Sequence, residues 1–228
     1  MKIHVCNDNK VFPFYYVDDW YTPEEEKLIW KELDFYTNPT TMYRAEDDPA
    51  TGYRDAAKTI SKSKSWRLYL HSMYSGLVQG RKEGDIAFPP SHILRLQPPY
   101  KQLTKELLEA IQETGPNFRL LSIINSSFTI INYYDDNDYY ESHNDKFVMS
   151  SVVWFHREPK AYTGGDFRFT DIDITLECKH NRHVMFPSYY NHEVLPIKMK
   201  EKNLEMGWGR YAIQSFHTHT YIPPEPKN

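Results

Sequence analysis

The sequence has few cysteines, no excess of positive charge and no long apolar segment. Cys6 and Cys178 are its only cysteines, which indicates an intracellular protein in a reducing compartment and excludes a disulfide framework. With a formal net charge of −4, it has no basic surplus for duplex DNA or an anionic membrane. No stretch approaches the roughly 18 apolar residues that span a bilayer, and the N-terminus lacks the apolar core of a signal peptide. We therefore expect a soluble, cytoplasmic protein without a membrane partner, and nucleic acid is disfavoured as a partner.

Internal repeats, low-complexity tracts and Gly/Ser linkers are also absent, which favours one domain over residues 1–228. Hydrophobic residues make up 40% and charged residues 25% of the chain, close to the average of globular proteins. Its 18 tyrosines, 12 phenylalanines and 5 tryptophans supply apolar bulk, and tyrosine suits the wall of a cavity with one wet edge. We expect a helical, loop-rich N-terminal half over 1–125 and a barrel core over 126–220.

Two segments of the N-terminal half have the features of helices. The first begins after Thr22, which can cap a helix that starts with proline and acidic residues, and its apolar residues recur at helical spacing as far as Tyr36. The second is predicted over 100–114, with Gly115 as its C-terminal stop. The polar segment 37–64 between them is predicted to be a surface loop.

From residue 126 onward, the pattern changes to short β-branched and aromatic runs with turn residues between them. Many short strands of this kind indicate a sandwich or a barrel. The predicted strands are 128–133, 147–155, 166–169, 174–178, 183–186, 193–197 and 210–216. The expected fold class is mainly β, with a barrel buttressed by N-terminal helices.

Two candidate metal ligands, His143 and Asp145, lie two residues apart. Alternate side chains of an extended strand point to the same face, so both can project into a barrel. A third ligand has to come from a distant strand, and His192 begins one of the later runs. Two histidines and one carboxylate on one face of a metal leave the opposite positions open, which suits non-haem Fe(II). Structural zinc would prefer four filled positions.

Arg210 stands at the start of the last predicted strand. A guanidinium can hold a carboxylate through two parallel hydrogen bonds and keeps its charge on burial. Arg210 shares a strand face with Ala212, Gln214 and Phe216, and the small Ala212 leaves room for a bound acid. Ile213 then packs outward against the helices. This pattern predicts an inward arginine with an anionic ligand.

The motifs around these residues follow one another in a family-specific order. They are Tyr133/Tyr134, His143-Asn144-Asp145, Gly164-Gly165-Asp166-Phe167, and Phe186-Pro187 before His192-Glu193-Val194. Over residues 132–216, the sequence resembles the 2-oxoglutarate- and Fe(II)-dependent oxygenases, in particular the prolyl 4-hydroxylase-like branch. The resemblance implies a double-stranded β-helix of the jelly-roll or cupin type, with His143, Asp145 and His192 as iron ligands. It also implies that Arg210 binds the far carboxylate of 2-oxoglutarate.

The groups that would bind the cosubstrate leave alternatives open. Neighbours on a strand face opposite ways, so only one phenol of Tyr133 and Tyr134 can reach the cosubstrate. Tyr133 is preferred. In the alternative orientation of the strand, Asn132 and Tyr134 would face the cosubstrate instead. Arg210 lies eighteen positions after His192, a longer gap than in many prolyl hydroxylases, and the extra residues fit a longer hairpin over 198–208. Three lysines are rival anchors: Lys198, Lys200 and Lys202.

The patterns around the remaining histidines and the cysteines do not indicate a metal site or a nucleophile. His180 with His183, and His217 with His219, lack a well-placed carboxylate and a third partner, so both pairs are predicted to face solvent. Neither cysteine stands in a nucleophile pattern, and both are expected to be buried or inert. The loops expected to select the substrate are 37–64, 135–138 and 198–208.

The resemblance implies a dioxygenase that uses Fe(II), 2-oxoglutarate and O2, with ascorbate as an optional reductant and succinate and CO2 as co-products. The leading substrate is a prolyl residue of a peptide or protein, and a small-molecule substrate stays open. The main alternative is an oxidative nucleic-acid demethylase of the alkylation-repair type, since Asn132-x-Tyr134 also fits that branch. However, Phe216 stands where that branch has a second arginine. A catalytically silent binding barrel and a zinc hydrolase are minor alternatives.

Overall fold

Two antiparallel sheets enclose the apolar interior of a double-stranded β-helix. The structure is a computed structural model that describes residues 2–8, 11–52, 54–70, 91–97, 104–201 and 205–219. The larger sheet contains, in spatial order, β1 (Lys2–Cys6), β2 (Phe14–Asp18), β12 (His183–Pro187), β8 (Met149–Phe155), β15 (Arg210–Thr218), β6 (Ser126–Tyr134), β5 (Trp66–Tyr69) and β3 (Tyr43–Arg44). The smaller sheet contains β11 (Ile174–Leu176), β10 (Phe167–Phe169), β13 (His192–Val194), β7 (Tyr139–His143) and β4 (Ser63–Lys64). A separate pair is formed by β14 (Ile197–Met199) and β9 (Tyr162–Gly164). The predicted fold class is confirmed.

Four α-helices are described: α1 (Pro23–Tyr36), α2 (Arg54–Ile60), α3 (His92–Arg95) and α4 (Lys105–Thr114). Helix α1 has the predicted N-terminus, because the Thr22 hydroxyl accepts from the Glu25 N–H at 3.2 Å and the Glu25 carboxylate accepts from the Thr22 N–H at 2.9 Å. The part of the second predicted helix before Thr104 lies outside the described residues, and α4 covers the rest. No helix in the described ranges is long and apolar enough to cross a membrane.

Strand β15 lies between β6 and β8 and separates two apolar cores. Tyr211 and Ile213 face the core that the N-terminal helices cover. Ala212 faces the interior between the two sheets, as does Trp154 on the neighbouring strand. The alternation follows from the period of two along a strand. It confirms that Ile213 packs toward the helices.

The segment 37–64 is not the surface loop that its polar composition predicts. It contains β3, α2, β4 and two short 3-10 turns, Ala45–Asp47 and Pro49–Gly52. Met42 and Ile60 are buried, and so is Asp48, whose carboxylate accepts hydrogen bonds from the Ala50 N–H and the Tyr69 hydroxyl. A few apolar anchors and satisfied polar groups are enough to pack this segment.

Two of the four histidines that were predicted to face solvent are buried, and a third, His180, is half-buried. His183 is fully buried and stacks on Trp20, with 4.2 Å between ring centroids, and His180 contacts Glu26 at 3.0 Å. His217 is buried with its Nε2 3.0 Å from the Ser151 hydroxyl. Strand alternation places His183 and His217 on the face that helices cover, which composition alone does not reveal. Only His219 is exposed.

Gly209 allows the first residues of β15 to approach β6 closely. A Cβ at Gly209 would lie 2.0 Å from the Tyr134 carbonyl oxygen and 3.0 Å from the Tyr133 hydroxyl. We expect Gly209→Ala to lower the free energy of unfolding by more than about 2 kcal/mol, because β15 must move away. Gly52→Ala is the control, with nothing within 4 Å of its new Cβ and an expected change within about 0.5 kcal/mol. Equal urea denaturation curves for both variants would contradict this account.

His217 should make stability depend on pH. Burial lowers the pKa of His217 to about 4 in the folded protein, against roughly 6.5 in an unfolded chain. Between these values only the unfolded chain binds the proton, so stability present above pH 6.5 is lost as the pH falls toward 4, by about 3 kcal/mol at most. Urea unfolding at pH 7 and pH 4.5 should show a smaller loss for His217→Gln than for the wild type. Parallel losses in the two proteins would mean that another group is responsible.

Candidate metal centre and anion pocket

His143 and His192 lie side by side at the centre of the smaller sheet. His143 ends β7, His192 begins β13, and the two residues pair directly across these strands. The Nδ1 atom of His143 lies 2.8 Å from the Glu141 carbonyl oxygen, and that of His192 lies 2.9 Å from the Tyr190 carbonyl oxygen. A carbonyl can only accept, so each Nδ1 carries the proton and each Nε2 keeps a lone pair.

Asp145 lies two residues beyond the end of β7, and the expectation that it belongs to the same strand as His143 is wrong. The loop is held because the Asp145 N–H donates to the Ser188 carbonyl at 2.8 Å and the Ser150 hydroxyl donates to Asp145 Oδ2 at 2.6 Å. Its Oδ1 is 3.9 Å from His143 Nε2, and its Oδ2 is 3.8 Å from His192 Nε2. The structure therefore brings the three sequence-predicted ligands together.

These three groups have the composition and the unsatisfied atoms of a metal site. One ligand atom from each lies within 4.8 Å of the others, and His192 Nε2 is buried without a hydrogen-bond partner among the described residues. Burial, and then the neighbouring His192, lower the pKa of His143 to about 2, whereas burial raises the pKa of Asp145. A divalent cation would satisfy the acceptors that face one another here. Two neutral imidazoles and one carboxylate fit ferrous iron.

Arg210 lies in a second polar part of the interior, at the start of β15. It is 1% exposed, its Nε donates to the Cys178 sulfur at 3.1 Å, and its guanidinium carbon lies 4.9 Å from the Tyr134 ring centroid and 5.6 Å from that of Trp154. Within the described part of the chain, Nη1 has no hydrogen-bond partner and no carboxylate pairs with Arg210. A buried guanidinium without a counter-charge is costly, so this surrounding fits an anionic ligand.

Tyr134, not Tyr133, shares the inner face with Arg210, so the preference for Tyr133 is wrong. Arg210 pairs with Tyr134 across β15 and β6, and the Tyr134 hydroxyl is buried without a hydrogen-bond partner among the residues described. Tyr133 points to the helical core, and its hydroxyl accepts from the N–H groups of Gly207 and Gly209 at 2.8 and 3.1 Å. Which of the alternating side chains of a strand face the interior depends on the elements that cover the strand, and the sequence alone does not identify these elements.

Asn132 lies on the same face as Tyr134, two residues earlier on β6. It pairs with Ala212 of β15, and its side-chain amide donates to Gln214 Oε1. Its Oδ1 is buried with no hydrogen-bond partner in the described ranges. Asn132 and Tyr134, the alternative pair, are therefore the residues of this strand that face the interior.

Two of the three rival lysine anchors, Lys198 and Lys200, are exposed and have other partners. Lys198 Nζ lies 3.4 Å from the Asp136 carboxylate and is largely exposed. Lys200 Nζ donates to the Lys160 carbonyl, and Lys202 lies outside the described residues. The extra residues do not form one hairpin across 198–208 either, because β14 pairs with β9.

An aromatic row lines the inner face toward the other end of β15. Phe216 lies 4.8 Å from Phe147 and 6.5 Å from Phe128, measured between ring centroids. Tyr69 continues the row at 5.9 Å from Phe128. Phe147 is 39% exposed, so the row reaches the surface. We call these four residues the aromatic row.

Sequence reasoning missed several residues that border the site. Tyr140 stacks on His143 with 3.7 Å between ring centroids, and Arg67 lies over Tyr140 with its guanidinium carbon 5.2 Å from the ring centroid. Cys178 is buried, in line with the expectation of a buried or inert thiol, and its sulfur accepts from Arg210 Nε. Tyr140 is three residues before His143, so strand alternation would place it on the opposite face, and the register shift between β7 and β13 is not visible in the sequence. The other two residues come from distant segments that carry no local signal.

The comparisons with known proteins agree with this geometry. The model of the 2OG-Fe(II) oxygenase superfamily matches residues 128–217. A prolyl-4-hydroxylase from Pseudomonas putida aligns with 94% of this chain and 97% of its own, at 14% identity and a TM-score of 0.53. A prolyl hydroxylase from Trichoplax adhaerens, in complex with a peptide fragment of the hypoxia inducible factor oxygen degradation domain, aligns with 90% of this chain and 83% of its own, at 10% identity and a TM-score of 0.51. A search of curated proteins finds no significant match.

At these identities the two solved structures establish a common fold, and the family match establishes the class of enzyme. The matched segment contains His143, Asp145, His192 and Arg210. Residues 128–217 thus match the 2OG-Fe(II) oxygenase superfamily, and the protein is a 2-oxoglutarate-dependent dioxygenase that shares the double-stranded β-helix of the prolyl 4-hydroxylases.

Proposed function

We propose that this dioxygenase hydroxylates a prolyl residue in a peptide or protein, with His143, Asp145 and His192 as the iron ligands and Arg210 as the anchor of 2-oxoglutarate. The proposal rests on two sets of polar groups without partners in the interior between the sheets, the three acceptors and the Arg210 guanidinium. Three acceptors converge within 4.8 Å, and the interior also holds a buried guanidinium without a carboxylate partner among the described residues. Both need ligands, one a cation and the other an anion.

The protein prepares the metal ligands before they meet iron. The carbonyl groups of Glu141 and Tyr190 fix the tautomers of the two imidazoles, and Ser150 orients the Asp145 carboxylate. When bound, ferrous iron would supply the O2 chemistry that side chains lack. The ligands would occupy one side of the ion, which leaves the other side for 2-oxoglutarate and O2.

The anion pocket suits a dicarboxylic acid held at one end. The free Nη1 of Arg210 and the hydroxyl of Tyr134 are donors that can bind a terminal carboxylate. Ala212 lies between Arg210 and Gln214 on the same face, and its methyl group leaves space for the carbon chain of the acid. Trp154 covers this region and would exclude water from it.

The aromatic row supports a peptidyl proline as the substrate. Proline-rich segments commonly dock in aromatic-lined grooves, because their extended conformation is already ordered. The peptide complex of the Trichoplax adhaerens enzyme, which has this fold, supports the same class. Phe216 belongs to the row and replaces the second arginine of the alkylation-repair branch. Together with the net charge of −4, this disfavours a nucleic-acid substrate.

We also propose that the whole chain forms the catalytic unit and acts in the cytoplasm. The N-terminal strands β1 and β2 extend the sheet that contains β15, and α1 covers its helical side through Ile29 and Leu33. This arrangement supports one domain over residues 1–228. Cys6 and Cys178 are both free thiols, which is consistent with a reducing compartment.

We expect the iron-loaded protein to convert 2-oxoglutarate to succinate and to add 16 Da to a proline-containing peptide, which mass spectrometry of a peptide panel would detect. His143→Ala should reduce both outputs at least about 1,000-fold, because it removes an iron ligand. His219→Ala is the matched control, since His219 is exposed and lies apart from the three ligands. Succinate formation without oxygenation of any prolyl peptide would refute the prolyl assignment, and equal activity of His143→Ala would refute the ligand assignment.

Arg210→Met should raise the KM for 2-oxoglutarate at least about 100-fold, since a charge-assisted pair of hydrogen bonds is lost in a buried pocket. Arg182→Met is a suitable control, because Arg182 already binds Asp18 at 2.6 Å, away from the interior. Steady-state kinetics with varied 2-oxoglutarate would measure the effect. An unchanged KM in a folded Arg210→Met variant would mean that another residue binds the carboxylate of 2-oxoglutarate.

A further inference from the structure

A second arginine, Arg67, is buried in the same interior and has donors that no described residue uses. Arg67 is 3% exposed and pairs with Asn132 across β5 and β6, so it lies on the face that Asn132 shares with Tyr134. Its Nε and Nη2 are buried without hydrogen-bond partners among the described residues. Leaving two charged donors unsatisfied in the interior is costly, unless a ligand binds them.

The partners that Arg67 does have leave one edge of its guanidinium free. Nη1 lies 3.8 Å from Asp48 Oδ2, which is beyond hydrogen-bond length. The Asp48 carboxylate is occupied by the Tyr69 hydroxyl, at 2.8 and 3.0 Å, and by the Ala50 N–H at 2.9 Å. The face of the guanidinium rests on the Tyr140 ring. The free nitrogens, Nε and Nη2, form the edge whose two N–H groups are parallel, and this edge matches the two oxygens of a carboxylate.

Arg67 lies near the three candidate ligands and on a different strand from Arg210. Its guanidinium carbon is 5.2 Å from the Tyr140 ring centroid, which is 3.7 Å from that of His143. Arg67 and Arg210 are on β5 and β15, the two strands that flank β6, so their backbones are roughly 10 Å apart at the usual strand spacing. Arg67 and Arg210 therefore approach the interior from opposite sides of β6.

We infer that Arg67 is a specificity-determining residue that binds a carboxylate of the substrate to be oxidised. The inference rests on the proposed function and adds a chemical class to it: the substrate is acidic near the reacting carbon. The carboxylate can come from the prolyl residue itself, at the end of a chain, or from an adjacent acidic residue, since consecutive Cα atoms are about 3.8 Å apart. The nearby Asp48 carboxylate offsets part of the free-energy cost of burying the guanidinium.

The test compares acids with their neutral amides. Calorimetry would use Mn(II)-loaded protein with saturating 2-oxoglutarate and three pairs of probes: N-acetylproline and its amide, acetyl-Glu-Pro-amide and acetyl-Gln-Pro-amide, and acetyl-Pro-Glu-amide and acetyl-Pro-Gln-amide. We expect the acid of at least one pair to bind at least about tenfold more tightly, which corresponds to about 1.4 kcal/mol. The pair that discriminates identifies the source of the carboxylate.

Arg67→Met should abolish this discrimination and leave the affinity for 2-oxoglutarate unchanged. Arg67→Lys keeps the charge but loses the parallel donors, so it should give an intermediate preference and provides a second variant if Arg67→Met does not fold. Arg44→Met is the matched control, because Arg44 also stacks on an aromatic ring, that of Trp66, but its donors already bind Asp138 at 2.9 and 3.1 Å. It should retain the wild-type preference.

Each contrary outcome has a distinct meaning. No discrimination by the wild type, or discrimination that survives in Arg67→Met, would overturn the inference. Weaker 2-oxoglutarate binding by Arg67→Met would assign Arg67 to the cosubstrate and would also overturn it. Hydroxylation of a neutral prolyl peptide with no preference for acids would leave the proposed function standing and refute the inference alone. An acid preference without oxygenation of any prolyl peptide would refute only the prolyl assignment.

Discussion

The antiparallel pairing of β15 with β6 and β8 is the constraint on which the rest of the structure depends. Because β15 is covered on both faces, each of its side chains enters one of two environments, the helical core or the interior between the sheets. Arg210 reaches the interior only in this register, and its partner on β6 is Tyr134. Gly209 permits the close contact with β6 where this pairing begins. The position of Arg210 beside Tyr134 is therefore a consequence of strand register.

The interior of the barrel is organised around polar groups that the protein itself does not satisfy. Nε2 of His192, Nη1 of Arg210 and the free edge of Arg67 are all buried without hydrogen bonds to described residues. Burying such groups without a partner costs stability. Aromatic rings surround the two arginines: Arg67 contacts Tyr140, and Arg210 contacts Tyr134 and Trp154. These cation–π contacts offset part of the cost of burying the charges. Stability is thus reduced locally where ligands are expected to bind, and ligand binding would restore it.

The sequence was sufficient to predict the fold class, helix α1 and the three residues that converge at the candidate metal centre. His143, Asp145 and His192 were recognisable because their residue types, their order and the motifs between them agree. Features that depend on what covers a strand were not predictable: Tyr133 was preferred over Tyr134, and His183 and His217 were expected to face solvent. Arg67 and Cys178 carry no local signal, because their importance arises from contacts with residues far away in the sequence.

The direct pairing of His143 with His192 has a consequence for how this site can change in evolution. The pair already contains a register shift between His192 and Val194, and a further one-residue insertion or deletion within β7 or β13 would turn one imidazole to the opposite face of the sheet unless another bulge absorbed it. Changes in chain length are tolerable only in the connections, such as the segment between β14 and β15. Diversification among related proteins is therefore expected in the loops around the barrel mouth, with these two strands constant in length.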